Sequence, residues 1–346
     1  MKIGRTTATA FALVAVCVAA TSACSSHDKP KAAANHPITL FSGEDANTTS
    51  ALVAAFTAQT GIKVTVKSGA EPALAQQIEQ ASDTHTADVF YSSNSPAIEE
   101  LAGKGLLGSV AKPTLGAVPP QYNSPTGAWI GVSARVSMIV YNTARVKKNQ
   151  LPKSVINLAD DNWKDKVALV PGSTDFQPVV TSVLKAKGEQ PTLDWLSAVR
   201  ANAKGHTYPD AATLISKVNS GEALVGVIDS YSWYQAQSQD ATATTHSALA
   251  PFAALDPGYV VDVSAAGMLK SSPYQTEAQR FLGFLVSAKG QQIVASSGGF
   301  EYPLIVGSVS AGKQPPLSSL RPYPIAPADL GDGSDAINLL QVAQLL

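Results

Sequence analysis

The chain has 346 residues, 45% of them hydrophobic, with 25 Lys+Arg against 26 Asp+Glu and a formal net charge of -1. That length and apolar share suit one or two sizeable cores, and the near-neutral balance excludes a basic surface for nucleic acid. Its two cysteines, Cys17 and Cys24, both lie near the amino terminus, so the rest of the chain has no disulfide framework.

Lys2 and Arg5 precede an apolar run over residues 8–20. This run is shorter than the roughly 20 residues of a membrane span, and it reads as the core of a signal peptide over 1–23. It leads into Thr21-Ser22-Ala23-Cys24, small residues before a cysteine. This resembles a bacterial lipobox, although Thr21 stands where Leu is more usual; simple secretion is the alternative. Cys24 is therefore the expected lipidation site, and 24–37 a polar tether in which His27 and His36 read as solvated linker rather than metal ligands. The mature chain is expected to be exported and held at the cell membrane by the lipid alone. Without residues 1–23 the balance is 23 basic to 26 acidic residues, a net of -3.

A buried strand is expected over 38–42 (ITLFS), then a helix over 48–59 with Leu52, Ala55 and Phe56 on one face. The stretch GIKVTVK alternates as a strand, residues 73–81 read as a helix, ADVFYS as a third strand, and 96–102 as a helix opened by Pro96. This is a βαβαβ unit, which makes a mostly parallel sheet. A second unit follows residue 129: the strand VALVP, helices over 176–187 and 193–203, the strand LVGVID, and a helix from Tyr231. The β-rich run YVVDVSAAGML precedes helices over 276–286 and 290–295; a Pro-containing connection over 313–327 leads to a last helix over 336–345. Crossing strands are expected near 132–139 and 261–267.

The expected fold is thus α/β, two lobes with mixed, mainly parallel sheets and a two-strand hinge. The first lobe is 38–135 plus 265–310, the second 136–264 plus 311–346. Ligands in such sheets sit at the carboxyl ends of strands, so the cleft between lobes is the expected site.

Residues 103–108, GKGLLG, match the glycine pattern of dinucleotide sites, but a helix precedes them and Pro113 follows, so they read as a helix stop and turn. No nucleophile elbow, HExxH or Walker A run occurs, and the five His are scattered. An exported hydrolase is therefore the weakest of the functional classes.

Taken in order, FSGEDANTTSALVAAFTAQTGIKVTV, ADVFYS, LAGKGLLG, WIGVSARVSMIVYN, NWKDKVALV, IDSYSWY, SAAGMLKSS and EYPL resemble the bacterial periplasmic ferric-ion-binding proteins, the solute receptors of iron(III) ABC importers, from residue 38 to about 304. The resemblance implies a two-lobed periplasmic-binding-protein clamshell, Fe(III) as transported ligand, and an ABC permease and its ATPase as partners. It also implies a monomer, no catalytic cofactor and no nucleic-acid partner.

It places the family's tyrosine pair on Tyr231-Ser232, an anion-holding Asn on Asp229, the first-lobe His on Asp45 beside Ser42 and Gly43, and the Glu ligand on or beside Pro72, with Glu71 as neighbour. The anion-binding turn falls on Gly172, Ser173, Thr174 and Asp175, and a further Asn on Asp210. On this reading Tyr231, Asp45, Glu71 and Asp229 are the metal ligands, and Ser42, Gly43, Ser173, Thr174, Asp175, Asp210 and Ser232 the other ligand-binding residues. The acidic replacements favour a cation over an accompanying anion, with oxygen donors that suit Fe(III) and other hard cations. Helix capping is the alternative role for each Asp. A small organic solute such as a polyamine, thiamine or a phosphorylated metabolite is the alternative cargo, with Tyr231 and Trp233 as ring faces.

Overall fold

The computed structural model describes residues 35–81, 84–305, 307 and 314–346; the expected signal peptide, Cys24 and all but the end of the tether lie outside the described residues. The first six elements are β1 (Ile38–Ser42), α1 (Ala46–Thr60), β2 (Val64–Ser68), α2 (Glu71–Gln80), β3 (Val89–Ser92) and α3 (Ser95–Gly103). The Asp45 carboxylate accepts the Thr48 amide at 2.8 Å and so opens α1. Gly61, at φ 75°, closes it with its own amide on the Thr57 carbonyl. Leu52 and Phe56, one turn apart, enter the core. Phe56 meets Phe281 edge-on at 5.0 Å, and each such buried ring stabilises by roughly 2–3 kcal/mol.

α4 (Lys112–Leu115) is a single turn with Pro113 in it, so this proline starts a short helix rather than preventing one. Residues 103–108 are nevertheless a helix end and turn, with Gly105 at φ 69°. Then come β4 (Ile130–Asn142), a series of 3-10 turns between 148 and 163, β5 (Val167–Ala168), α5 (Gln177–Lys187), α6 (Glu189–Asn202), α7 (Ala211–Ser220), β6 (Val225–Asp229) and α8 (Ser230–Gln239). The chain closes with β7 (Ser247–Ala250), β8 (Val261–Met268), α9 (Gln275–Leu285), α10 (Ala288–Ser296), β9 (Tyr302–Pro303) and α11 (Ser334–Val342).

The strands run in the order β2-β1-β3-β8-β4-β6-β5, with β7 and β9 also paired to β4. Pairings within the helix-crossover units, β1 to β2, β1 to β3 and β5 to β6, are parallel. The antiparallel pairings all involve β4 or β8. All 13 residues of β4 are buried, as a strand covered on both faces requires. Its partner over 130–136 is β8, and from Ser137 onward it is β6. The two strand groups therefore share β4, and the exchange falls between Val136 and Ser137.

Candidate functional site

Five loops deliver polar side chains to one place, each at the carboxyl end of a parallel strand: Glu44 after β1, Glu71 after β2, Ser93 and Asn94 after β3, Thr174 and Asp175 after β5, and Asp229 at the end of β6. This is where open α/β sheets expose unpaired backbone and bind ligands. Alternation along β4 adds the centre. Val132, Ala134, Val136 and Met138 occupy one set of positions, while Ser133, Arg135 and Ser137 occupy the other. Arg135 stands one residue before the strand changes partners.

The Arg135 guanidinium is 5% exposed and meets three carboxylates: Nη2 lies 2.5 Å from Glu301 Oε1 and 3.3 Å from Glu44 Oε1, and Nη1 lies 3.2 Å from Asp175 Oδ1. It also lies over the Tyr231 ring, 4.3 Å from the centroid. Burial works to lower its pKa, but Glu301, Tyr231, Glu44 and Asp175 outweigh this and hold it well above the usual value. Burial pushes Glu301 up to about 8 although Arg135 opposes it. Ser133 and Ser264, from β4 and β8, donate to its other oxygen.

A second network spans the two groups. Asn94 Nδ2 reaches Glu71 Oε1 at 3.1 Å, Thr174 Oγ1 at 3.0 Å and Asp175 Oδ1 at 3.1 Å. Ser93 and Thr174 hydroxyls donate to the same Glu71 oxygen at 2.9 and 3.1 Å. The Tyr231 hydroxyl donates to Asp175 Oδ2 at 2.9 Å. Burial first, and then the Asp175 charge, keep that phenol protonated well beyond its ordinary range. Asp229 is raised well above a normal carboxyl by burial and then by Asp175. With Ser137, Ser173 and Asp175 it lines a cavity of about 10 Å³, room for a single water.

Several polar atoms here are buried without a partner among the described residues: Glu44 Oε2, Asn94 Oδ1, Arg135 Nε and the Tyr91 hydroxyl. Such atoms are rare in folded chains, where strain, water or a bound ion accounts for them.

The structure brings Glu71, Thr174, Asp175, Asp229 and Tyr231 together, with Ser173 on the cavity wall. Gly43 lies against Glu71, where a Cβ would sit 3.0 Å from the Glu71 Cβ. Ser42 is buried and bonded to Thr49. Asp45 is committed to capping α1, and Asp210 is exposed, with its carboxylate on the Thr213 amide at 2.7 Å as the cap of α7. Ser232 is half-buried on α8. Among the described residues no three His, Cys, Asp or Glu side chains converge as a metal cage. Glu44, Asn94, Arg135 and Glu301 were not singled out from sequence. Arg135 had a legible signal, a lone charge on the polar side of an alternating, otherwise apolar strand.

Residues 84–329 match the family model of the bacterial extracellular solute-binding proteins. The Fe(3+)-binding periplasmic protein of Serratia marcescens is 35% identical over 315 residues, 91% of this chain and 92% of that relative. The major ferric iron-binding protein of Neisseria meningitidis serogroup B is 31% identical over 309 residues, 88% and 92% of the two chains. Iron-bound HitA from Pseudomonas aeruginosa superposes with a TM-score of 0.83 at 35% identity, covering 89% of this chain and 99% of that one. A Trichodesmium protein in complex with iron and citrate gives 0.80 at 26% identity, covering 89% and 99%. The two-lobed α/β architecture expected from the sequence is the fold these chains share.

Proposed function

This chain belongs to the bacterial extracellular solute-binding proteins, and on that premise we propose that it captures ferric ion outside the cytoplasmic membrane and passes it to an ABC permease and its ATPase. The observation that carries the proposal is Tyr231, a phenol aimed at Asp175 at the junction of both strand groups. A hard trivalent cation takes phenolate and carboxylate oxygens, and Asp175 and Asp229, the two acids whose charges act on Tyr231, supply the latter. The protein acts as a receptor, and no bond is made or broken in the cargo beyond coordination.

Titrating metal-free chain with ferric citrate tests this. The wild type should develop the visible band of an Fe(III)-phenolate, and Tyr231→Phe should stay colourless. Iron uptake by neither chain would replace ferric ion with an organic cation. That second reading is favoured by Ser232, which follows Tyr231 where a second phenol would strengthen iron binding.

The same reading makes residues 38–135 plus 265–310 one lobe and 136–264 plus 311–346 the other, closing as a monomer about β4 and β8. Scattering should then give a smaller radius of gyration with cargo than without it. It also makes Cys24 the lipid attachment point after removal of 1–23, so that Cys24→Ala should leave the membrane fraction.

A further inference from the structure

We propose that Asp175 is the built-in anion of this site: the β5 to α5 loop supplies a carboxylate on Arg135, beside Glu44 and Glu301, in the place an external anion would take, so the cargo cation is held without an accompanying phosphate, carbonate or chelator. The inference rests on the reading of the cleft as a cation site.

A buried guanidinium in a cleft is ordinarily an anion receptor, because its planar donors take carboxylate or phosphate two bonds at a time. Here most of those donors are spent. Glu44 and Glu301 hold Nη2, Asp175 holds Nη1, and the Tyr231 ring lies on one side of the guanidinium. Of its five N–H groups only that on Nε and the second on Nη1 have no carboxylate partner among the described residues. An external anion taking two bonds at once would have to evict one of three carboxylates.

Asp175 is the one in the place such an anion would take. Its side chain is 14% exposed, against 3% for Glu44 and 5% for Glu301. It is also the one that comes from the β5 loop, and it faces Arg135 from the second strand group. It gathers three donors, Arg135 Nη1, Asn94 Nδ2 and the Tyr231 hydroxyl, which a bound anion would otherwise compete for.

The remaining unpartnered atoms argue the same way. Glu44 Oε2 and Asn94 Oδ1 are acceptors, and Asp229 lines the adjoining cavity. A second anion about 4 Å from such a carboxylate would be opposed by about 4 kcal/mol at the effective dielectric of a protein surface. A cation gains from the same oxygens.

The experiment loads iron from ferric nitrilotriacetate in buffer free of phosphate and bicarbonate, and compares wild type with Asp175→Asn, which keeps the side-chain shape and removes the charge. The native mass of the loaded wild type should exceed that of the metal-free chain by iron less the displaced protons, with no anion or chelator. Its ferric affinity should change less than about twofold when phosphate is added, whereas the variant should bind about tenfold more weakly and recover with phosphate or bicarbonate. A calorimetric phosphate titration of the metal-free chains adds an arm independent of iron, in which phosphate binds the variant and not the wild type. An anion in the wild-type mass, or phosphate binding equally to both metal-free chains, overturns the assignment of Asp175. Failure of both chains to take iron overturns the ferric reading instead, and the phosphate arm still decides the role of Asp175; the wild-type arms need no variant to fold.

Discussion

Asp88 and Asp229 are both buried carboxyls at strand ends, 0% and 5% exposed, yet their surroundings differ in kind. Asp88 receives the Thr39 amide at 2.6 Å, the His85 ring at 2.7 Å and the Ser272 hydroxyl at 2.5 Å, which tie β1, β3 and the turn before α9 together. Asp229 is set by burial and by neighbouring charges, with no hydrogen bond among the causes of its raised pKa. Asp262 on β8 stands between them, with amides of Ser95 at 3.2 Å and Val263 at 2.8 Å. Burial is therefore a poor marker of function in this molecule. Between Asp88 and Asp229 free acceptor capacity is the better one, because a carboxylate already holding three donors has less left to offer a cargo.

The sharpest break of this comparison is Asp88→Ala. It strands the buried Ser272 hydroxyl and the half-buried Thr39 amide and frees the exposed His85 ring, so we expect a loss of about 3 kcal/mol in denaturant unfolding. Cargo affinity should stay as it is in whatever fraction remains folded. A variant that unfolds normally but loses its cargo would put Asp88 in the site and reverse the distinction.

Asp262 sharpens the comparison through pH. Burial raises it to about 6 from the ordinary 3.8, against the opposing bonds from Ser95 and Val263. Because the folded pKa is the higher one, the contribution of this group to stability is complete below about pH 4 and is lost as pH rises through about 6, on the order of 3 kcal/mol in all. Asp262→Asn removes the proton and the slope with it. Unfolding midpoints at pH 4 and pH 7 should therefore differ less in the variant than in the wild type, and equal differences would show that Asp262 titrates no differently in the folded chain.

The sequence made the elements readable wherever period and composition agreed. Leu52 and Phe56 on α1, the alternation of β2, and the long apolar runs of β4 and β8 each announce their state. β7 was not legible, because Ser-Ala-Leu-Ala carries no β-branched residue and its strand character comes from pairing with β4. The site was legible by loop but not by atom. Glu44 and Asp45 are adjacent acids after β1; the shorter carboxylate caps α1, and the longer one reaches Arg135. Asp210 likewise went to a helix start. Arg135 was overlooked because it lies within a strand, whereas strand ends are where ligand residues are ordinarily sought.

Asp229 gives the smallest change in stability and the clearest division between the two kinds of buried acid. Asparagine keeps its shape and removes the charge that burial and Asp175 oppose. Since the folded pKa is raised, the wild type is penalised as pH climbs above the ordinary carboxyl range, and the variant is not. At pH 7 Asp229→Asn should therefore be as stable as the wild type or more stable by about 1 kcal/mol, in the way a residue kept for function is commonly a poor choice for the fold. Ferric affinity should move the other way and fall by about tenfold, the worth of one charged oxygen donor. Unfolding and iron titration on the same preparation read both signs at once. A variant that is less stable and binds iron as before would make Asp229 a second Asp88, and leftover acceptor capacity would no longer distinguish the two regions.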